Sequence, residues 1–206
     1  GTSEVPITPS GFFPFTGNAM TVLLSGSLTV SAGPSNPANG SVSNDATDLC
    51  MIQTTLSANE NEDIDVAAIT FTAAGTGDDQ TDISGTSVDL YQDNGSVSGA
   101  WDAGDTLIQS GGSWSADNGT VTFSSLTEII TAGGSEDWIL ICDLNGNASA
   151  NETFQVKVVN ATDITASGAV SLETIVPAGT PVNGGVRTIT PNRVLTVQAG
   201  SQNPAA

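Results

Sequence analysis

Short runs with alternating apolar residues, separated by turn signals, constrain the fold of this chain more than any other feature. The clearest runs cover residues 27–30, 63–72, 87–91, 106–108, 120–123, 138–144, 153–159 and 186–190. Asn-Gly pairs at Asn94 and Asn118 suit hairpin turns, which need positive φ angles. No segment sustains a 3.6-residue period, so helix should be nearly absent. These features predict an all-β fold, an immunoglobulin-like β-sandwich with Greek-key connections.

The charge balance excludes two classes of partner. The chain has 3 Lys and Arg residues, 22 Asp and Glu residues and no His, for a net charge of −19. Such a chain repels nucleic-acid phosphates and anionic lipid surfaces. No apolar run approaches the roughly 18 residues of a membrane span. A start at Gly1 without Met suggests that a signal peptide has been removed, so we expect an extracellular location at the cell surface.

An internal recurrence links the two ends of the sequence. Residues 28–38 (LTVSAGPSNPA) reappear at 195–205 (LTVQAGSQNPA), and eight of eleven positions match. We therefore divide the chain into an N-terminal arm with a lead-in strand (1–26), a sandwich domain (27–190) and a C-terminal strand (191–206). A lone strand is not stable, so the second copy should pair with its own domain, with a neighbouring copy or with a continuation of the chain.

The N-terminal arm combines proline with phenylalanine and cannot form a central strand. It either docks onto a neighbouring subunit, as in strand addition, or folds back along its own sandwich. The residues predicted to make contacts between subunits are Phe12, Phe13 and Phe15 in the arm and Val194, Leu195 and Val197 in the C-terminal strand.

Three segments together resemble a bacterial extracellular immunoglobulin-like repeat that occurs in tandem in surface-layer and surface-fibre proteins. They cover residues 56–66 with 75–84, residues 88–95 with 101–108, and residues 130–144; the sequence Asp-Ala-Gly-Asp-Thr that starts at Asp102 is the most recognisable part. The resemblance implies a sandwich with a structural role at the surface and no catalytic activity. The sequence departs from the family because it contains one full repeat and so no tandem array within itself; a polymer of separate subunits could play the same part.

The two cysteines lie in strand-like runs. Alternation places Cys50 on the same face as Ile52 and Leu56, and Cys142 on the same face as Trp138, so both are expected in the core. An exported chain meets oxidising conditions, and a disulfide between the sheets would add about 4 kcal/mol. Two buried free thiols are the alternative.

The acidic, glycine-rich loop 93–105 is the best candidate for a metal site. Asp93, Asp102 and Asp105 could bind Ca²⁺, with Asn94 or Ser96 assisting, because Ca²⁺ takes carboxylate, amide and carbonyl oxygens. The spacing is not that of an EF-hand, and the alternative is a turn held by Asx hydrogen bonds. Asp78, Asp79 and Asp82 form a second, weaker acidic cluster.

Six sequons in predicted turns could accept glycans if the source glycosylates exported proteins. They lie at Asn39, Asn94, Asn118, Asn147, Asn151 and Asn160. A glycan at Asn94 would compete with Ca²⁺ for the same loop.

We find no candidate catalytic group in the sequence. There is no His to act as a base, and neither Cys has a neighbour that would make it a thiolate. Trp138 fits a core position, while Trp101 and Trp114 flank loops and either pack at the end of the sandwich or stack on sugars. The sequence therefore predicts a structural subunit of a surface filament or layer that assembles from copies of itself, and the alternative is a glycan-binding adhesin module that uses Trp101 or Trp114.

Overall fold

A computed structural model describes residues 24–190 as two β-sheets. The five-stranded sheet contains, in spatial order, β1 (Leu28–Ala32), β3 (Leu49–Ala58), β8 (Ser135–Cys142), β5 (Val88–Gln92) and β6 (Thr106–Gly112). The second sheet contains, in spatial order, β11 (Thr174–Ile175), β10 (Ile164–Gly168), β4 (Ile64–Gly75), β9 (Thr153–Val158), β13 (Arg187–Thr190) and β2 (Gly40–Ser43), while β7 (Thr120–Ile130) pairs with β4 and β12 (Val182–Asn183) with β9. The predicted all-β sandwich is confirmed.

Helix is nearly absent from the described residues, as predicted. A four-residue helix α1 (Asp79–Asp82) follows β4, and a single 3₁₀ turn covers Ala161–Asp163. The Asp78 side chain begins α1 by accepting hydrogen bonds from the backbone N–H groups of Gln80 and Thr81, which are otherwise unpaired in a first turn. None of the described helices is long and apolar enough to cross a membrane.

The core lies between the two sheets and is built by strand alternation. Along β4, Ile64, Val66, Ile69, Phe71 and Ala73 are buried. The Phe71 ring meets Phe123 of β7 edge to face, with ring centroids 6.3 Å apart. Trp138 from the opposite sheet is fully buried in the same cluster, so its predicted core position is confirmed.

A β-bulge in β3 changes the side that Cys50 faces. The pairing of β3 with β8 shifts between Cys50 and Ile52, and a bulge reverses the alternation of side chains beyond it. Met51 and Ile52 both enter the core, whereas Cys50 packs with Ile139 and Ile141 on the outer face of the five-stranded sheet. The predicted burial of Cys50 is confirmed, but its side chain lies on the face away from the core between the sheets, so the predicted face is wrong.

The predicted disulfide is not formed for the same reason. Cys50 and Cys142 are both buried free thiols. Their strands are neighbours in one sheet, but Cys142 lies in the core between the sheets and Cys50 on the opposite face. Side chains on opposite faces of one sheet cannot bring their sulfur atoms to the 2.05 Å that a disulfide needs.

Candidate functional site: the first-strand groove and the acidic loop

The first strand of the described fold occupies a groove on the five-stranded sheet. Leu28 and Val30 are buried, and β1 pairs with β3 so that Leu28 lies opposite Ala58 and Val30 opposite Leu56. On the other edge of β1, the Val30 N–H donates to the Ala178 carbonyl at 2.8 Å, and the Ala178 N–H donates to the Leu28 carbonyl at 3.0 Å. We call the position that residues 28–38 occupy the first-strand groove.

The turn after β1 is anchored by Gln53 of β3. The Ser35 N–H donates to Gln53 Oε1 at 2.7 Å, and the Gly33 N–H donates to the Gln53 carbonyl at 2.9 Å. The Asn36 amide oxygen accepts from the Gln53 N–H at 2.9 Å, while its nitrogen donates to the Asn183 carbonyl at 2.8 Å. A Cβ on Gly33 would lie only 2.4 Å from Gln53 Oε1, so this position needs glycine because the chain passes so close to Gln53.

Gln53 also anchors the acidic loop. Its side chain is fully buried, and its amide nitrogen donates to Asp93 Oδ2 and, at 3.1 Å, to the Ser98 hydroxyl. Asp93 Oδ2 accepts a further hydrogen bond from the Gly99 N–H at 2.7 Å. One glutamine thus joins the turn after β1 to the loop 93–105, and the sequence analysis did not single it out.

The carboxylates of the acidic loop are engaged by the loop's own backbone. Asp102 accepts from the N–H groups of Ser96, Val97 and Gly104, and these bonds, led by that of Gly104, hold its pKa below the usual range. Asp105 accepts from the N–H groups of Gly95 and Asp102 at 2.8 Å each. This is the arrangement of an Asx-stabilised turn.

Within residues 24–190, no group of three acidic, Cys or His side chains is placed to hold a metal ion. The three carboxylates predicted to bind Ca²⁺ share a loop, and those of Asp102 and Asp105 accept from backbone N–H groups on both oxygens. Asp93 accepts from Gln53, Ser98 and Gly99 on Oδ2, and its buried Oδ1 has no hydrogen-bond partner. Calcium binding by Asp93, Asp102 and Asp105 stays a prediction, since an ion would have to displace some of these bonds.

The second acidic cluster caps a helix. Asp78 begins α1, and Asp82 accepts from the Asp78 N–H at 3.0 Å. Asp79 is buried, and burial raises its pKa to about 6, although its carboxylate accepts from the Asn118 N–H at 3.1 Å. The three residues are therefore explained by local structure.

The structure separates the two tryptophans that the sequence could not distinguish. Trp114 is 4% exposed and belongs to the core, so the adhesin prediction is wrong for this residue. Trp101 is 39% exposed and meets Tyr91 edge to face, with ring centroids 6.2 Å apart. Of these two tryptophans, Trp101 is the one that offers an aromatic surface to solvent.

All six predicted glycan acceptors are exposed: Asn39, Asn94, Asn118, Asn147, Asn151 and Asn160. The Asn94 amide nitrogen nevertheless donates to Gln92 Oε1 at 3.3 Å and to the Thr106 hydroxyl at 3.0 Å. A glycan on that nitrogen would disrupt the start of β6. Glycosylation itself stays a prediction.

The sequence analysis did not single out Glu62, whose carboxylate bonds to the backbone at Gly26, near the start of the described residues. Its carboxylate accepts from the N–H groups of Gly26, Val170 and Ser171 and from the Ser171 hydroxyl, all at 2.7–3.0 Å. These bonds, led by those of Ser171, lower its pKa to about 2. A Glu after a turn carries no distinguishing pattern, because its partners lie 36 and more than 100 positions away.

The predicted subunit-contact residues lie outside the described residues. Phe12, Phe13 and Phe15 precede residue 24, and Val194, Leu195 and Val197 follow residue 190.

Comparisons with known proteins do not assign a family. No family model matches the chain, and no curated protein matches it significantly. A solved structure of the sixth cohesin from scaffoldin B of Acetivibrio cellulolyticus, in complex with a Cel5 dockerin mutant, matches with a TM-score of 0.35 and 14% identity. The match covers 80% of this chain and 99% of the cohesin chain. At that score and identity the likeness carries no argument about function, and the β-sandwich assignment rests on the two sheets described above.

Proposed function

We propose that this protein is a structural subunit of an extracellular surface filament or layer, and that it assembles from copies of itself through a terminal segment. One observation carries the proposal: the sequence contains the first-strand motif twice, and the copy at 28–38 supplies β1, whose Leu28 and Val30 are buried in the described sandwich, and the turn after it. The second copy at 195–205 therefore has the pattern of a strand that fits the same sheet. Strand addition between subunits is a general way to use such a segment.

The chemistry of the described residues supports a structural role. Burial raises the pKa of the Cys50 thiol to about 12 and raises that of Cys142 as well, so neither is a nucleophile at neutral pH. The raised pKa of Asp79 belongs to a carboxylate buried beneath the turn of Asn118. These buried residues have structural roles. The sequence motifs favour assembly as the function.

Electron microscopy of the purified chain, beside variants that lack residues 1–17 or 194–206, tests the proposal. We expect filaments or sheets from the full chain and their loss in one truncation, which would identify the donor end. Each sample is imaged with and without Ca²⁺, and thermal unfolding verifies that each truncated chain is folded. Dispersed monomers from the full chain at high concentration in both conditions would refute self-assembly.

Trp101 favours a second candidate, a glycan-binding adhesin module. Its half-exposed ring beside Tyr91 offers a flat apolar surface of the kind on which sugars stack. A glycan panel should then change tryptophan fluorescence in the intact chain but not in Trp101→Ala. A response that survives this substitution would rule out the Trp101 surface.

A further inference from the structure

The two copies of the motif differ at three positions. At each of them the side chain of the first copy makes no described hydrogen bond to the first-strand groove. They are Ser31, Pro34 and Ser35, which become Gln198, Ser201 and Gln202. Ser31 and Pro34 are exposed, and the half-buried Ser35 bonds to Gln53 through its backbone N–H and passes Gly99 with its Cβ, an atom that Gln202 shares. Gln198, Ser201 and Gln202 could therefore take the same positions without loss of a described side-chain hydrogen bond.

The matching positions include each one where the groove buries the side chain, excludes a Cβ atom or makes a side-chain hydrogen bond. Leu195 and Val197 correspond to the buried Leu28 and Val30. Gly200 corresponds to Gly33, where a Cβ would collide with the Gln53 side chain.

Asn203 corresponds to Asn36, whose amide both accepts from Gln53 and donates to Asn183. A general preference for β-strands would not require glycine and asparagine at these two places. The match thus extends past the strand itself into the turn that follows it.

We propose that residues 195–205 of one copy occupy the first-strand groove of another copy, with Leu195 at the position of Leu28 and Asn203 at that of Asn36. This inference rests on the proposed function and specifies its joint. The incoming segment replaces residues 28–38 of the acceptor, and Thr196 then lies opposite Ser57, as Thr29 does within one chain.

Replacement exchanges one set of contacts for an equivalent set. The balance between the two segments is then set by concentration, as in domain swapping. We therefore expect assembly to depend steeply on protein concentration. Because each copy donates at one place and accepts at another, the contact is head-to-tail, which produces a filament whenever the rotation between copies does not close a ring.

Cross-linking between two differently sized chains tests the joint. One chain carries Thr196→Cys, and the other, enlarged by a tag, carries Ser57→Cys; paired positions on neighbouring strands bring their Cβ atoms to about 4.5–5.5 Å. Under oxidising conditions we expect a mixed disulfide dimer. The matched control acceptor is a chain with Thr122→Cys, at an exposed position of β7. The native thiols should not interfere with the cross-link because they are buried.

The outcomes distinguish the joint from the function. Assemblies by microscopy without the mixed dimer, or with as much cross-linking to the Thr122→Cys chain, would refute this joint and leave self-assembly standing. Neither assemblies nor dimer would refute both. A disulfide within one chain that carries both Thr196→Cys and Ser57→Cys would show that the segment enters its own groove, and would also refute the joint.

Two pairs of substitutions in the full chain test the register. Val197→Asp should reduce the assembled fraction at least tenfold, whereas Thr196→Asp, which adds the same charge at a position corresponding to exposed Thr29, should leave it within twofold. Gly200→Val should block assembly, and Ser201→Val, at the position of exposed Pro34, should not. Equal effects within either pair would overturn the register.

Discussion

Gln53 is the side chain whose removal should reveal most about how the fold holds its loops. In Gln53→Ala, the Ser35 N–H and the Asp93 carboxylate both lose a buried partner. A buried group left without its hydrogen bond costs about 1–3 kcal/mol, and the upper part of that range applies to charged groups. We therefore expect the free energy of unfolding to fall by about 3 kcal/mol, which lowers Tm by about 6–12 °C in a domain of this size.

Gln109→Ala is the matched control, because it makes the same chemical change without breaking such bonds. Gln109 Oε1 is buried and has no hydrogen-bond partner in the structure. Its removal should change the free energy of unfolding by less than about 1 kcal/mol. Urea unfolding of both variants and of the parent chain, with unchanged m-values, gives the comparison directly.

Hydrogen exchange adds a local readout to this prediction. The Ser35 N–H should lose protection in Gln53→Ala, and the Gly99 N–H should lose part of its protection because Asp93 is no longer held. The Trp138 N–H, in the middle of β8, should keep its protection relative to global unfolding. A Gln53→Ala variant no less stable than Gln109→Ala, with Ser35 still protected, would refute the view that Gln53 anchors both segments.

Four further predictions follow from individual side chains. The pKa of Glu62 is about 2 in the folded chain against 4.5 ordinarily, so its stabilising effect is complete above pH 4.5 and is lost as the pH falls towards 2; Glu62→Gln should flatten the Tm profile in that window. The effect of Asp79 on stability has the opposite sign, because its pKa is raised from 3.8 to about 6. Its burial destabilises the fold above pH 6, and this penalty disappears below pH 3.8. In urea unfolding, Asp79→Asn should therefore raise the free energy of unfolding by up to about 3 kcal/mol at pH 7 and have little effect near pH 3.5. Cys50 and Cys142 should not react with a thiol reagent until the chain unfolds, and a reductant should leave Tm unchanged; a drop in Tm on reduction would contradict their placement on opposite faces. If the acidic loop binds calcium, millimolar Ca²⁺ should raise the Tm of the parent chain but not that of Asp105→Asn. Equal Tm values with Ca²⁺ and with a chelator would eliminate that site.

Alternation and turn pairs predicted the strands that carry the core. The run at 63–72 overlaps β4 from Ile64 onwards, and the run at 120–123 begins β7. The missed strands, β2 and β10 to β12, have two to five residues each, and β2 and β11 form the two edges of the second sheet. The sequence GSVS of β2 contains one apolar side chain, so its place is determined by parallel pairing with β13 more than by its own pattern.

The failures at the candidate site have a common physical origin. Cys50 was assigned to the wrong face because a bulge inserts one residue into the alternation, and nothing local in the sequence around Met51 marks it. Trp114 follows a glycine-rich stretch, as an exposed residue would, yet it packs into the core. The carboxylates of the acidic loop resemble cation ligands in composition, but those of Asp102 and Asp105 already accept hydrogen bonds from backbone N–H groups of the same loop. Periodicity predicts the face of a regular strand on which a side chain lies. It does not predict the hydrogen bonds that irregular backbone makes with that side chain.

That distinction explains why the motif at 195–205 carries information beyond its strand pattern. An alternating Leu-Thr-Val would fit many sheet edges, and by itself it would indicate only an apolar strand. Gly200 and Asn203 correspond to irregular positions, where Gly33 passes against Gln53 and Asn36 bonds to Gln53 and Asn183. A segment that repeats these irregular positions has a sequence that matches one groove specifically, and the proposed joint uses that groove on another copy of the chain. The features that defeat prediction elsewhere in this protein thus become, when the sequence repeats them, the strongest sequence support for the proposed binding site of the second copy.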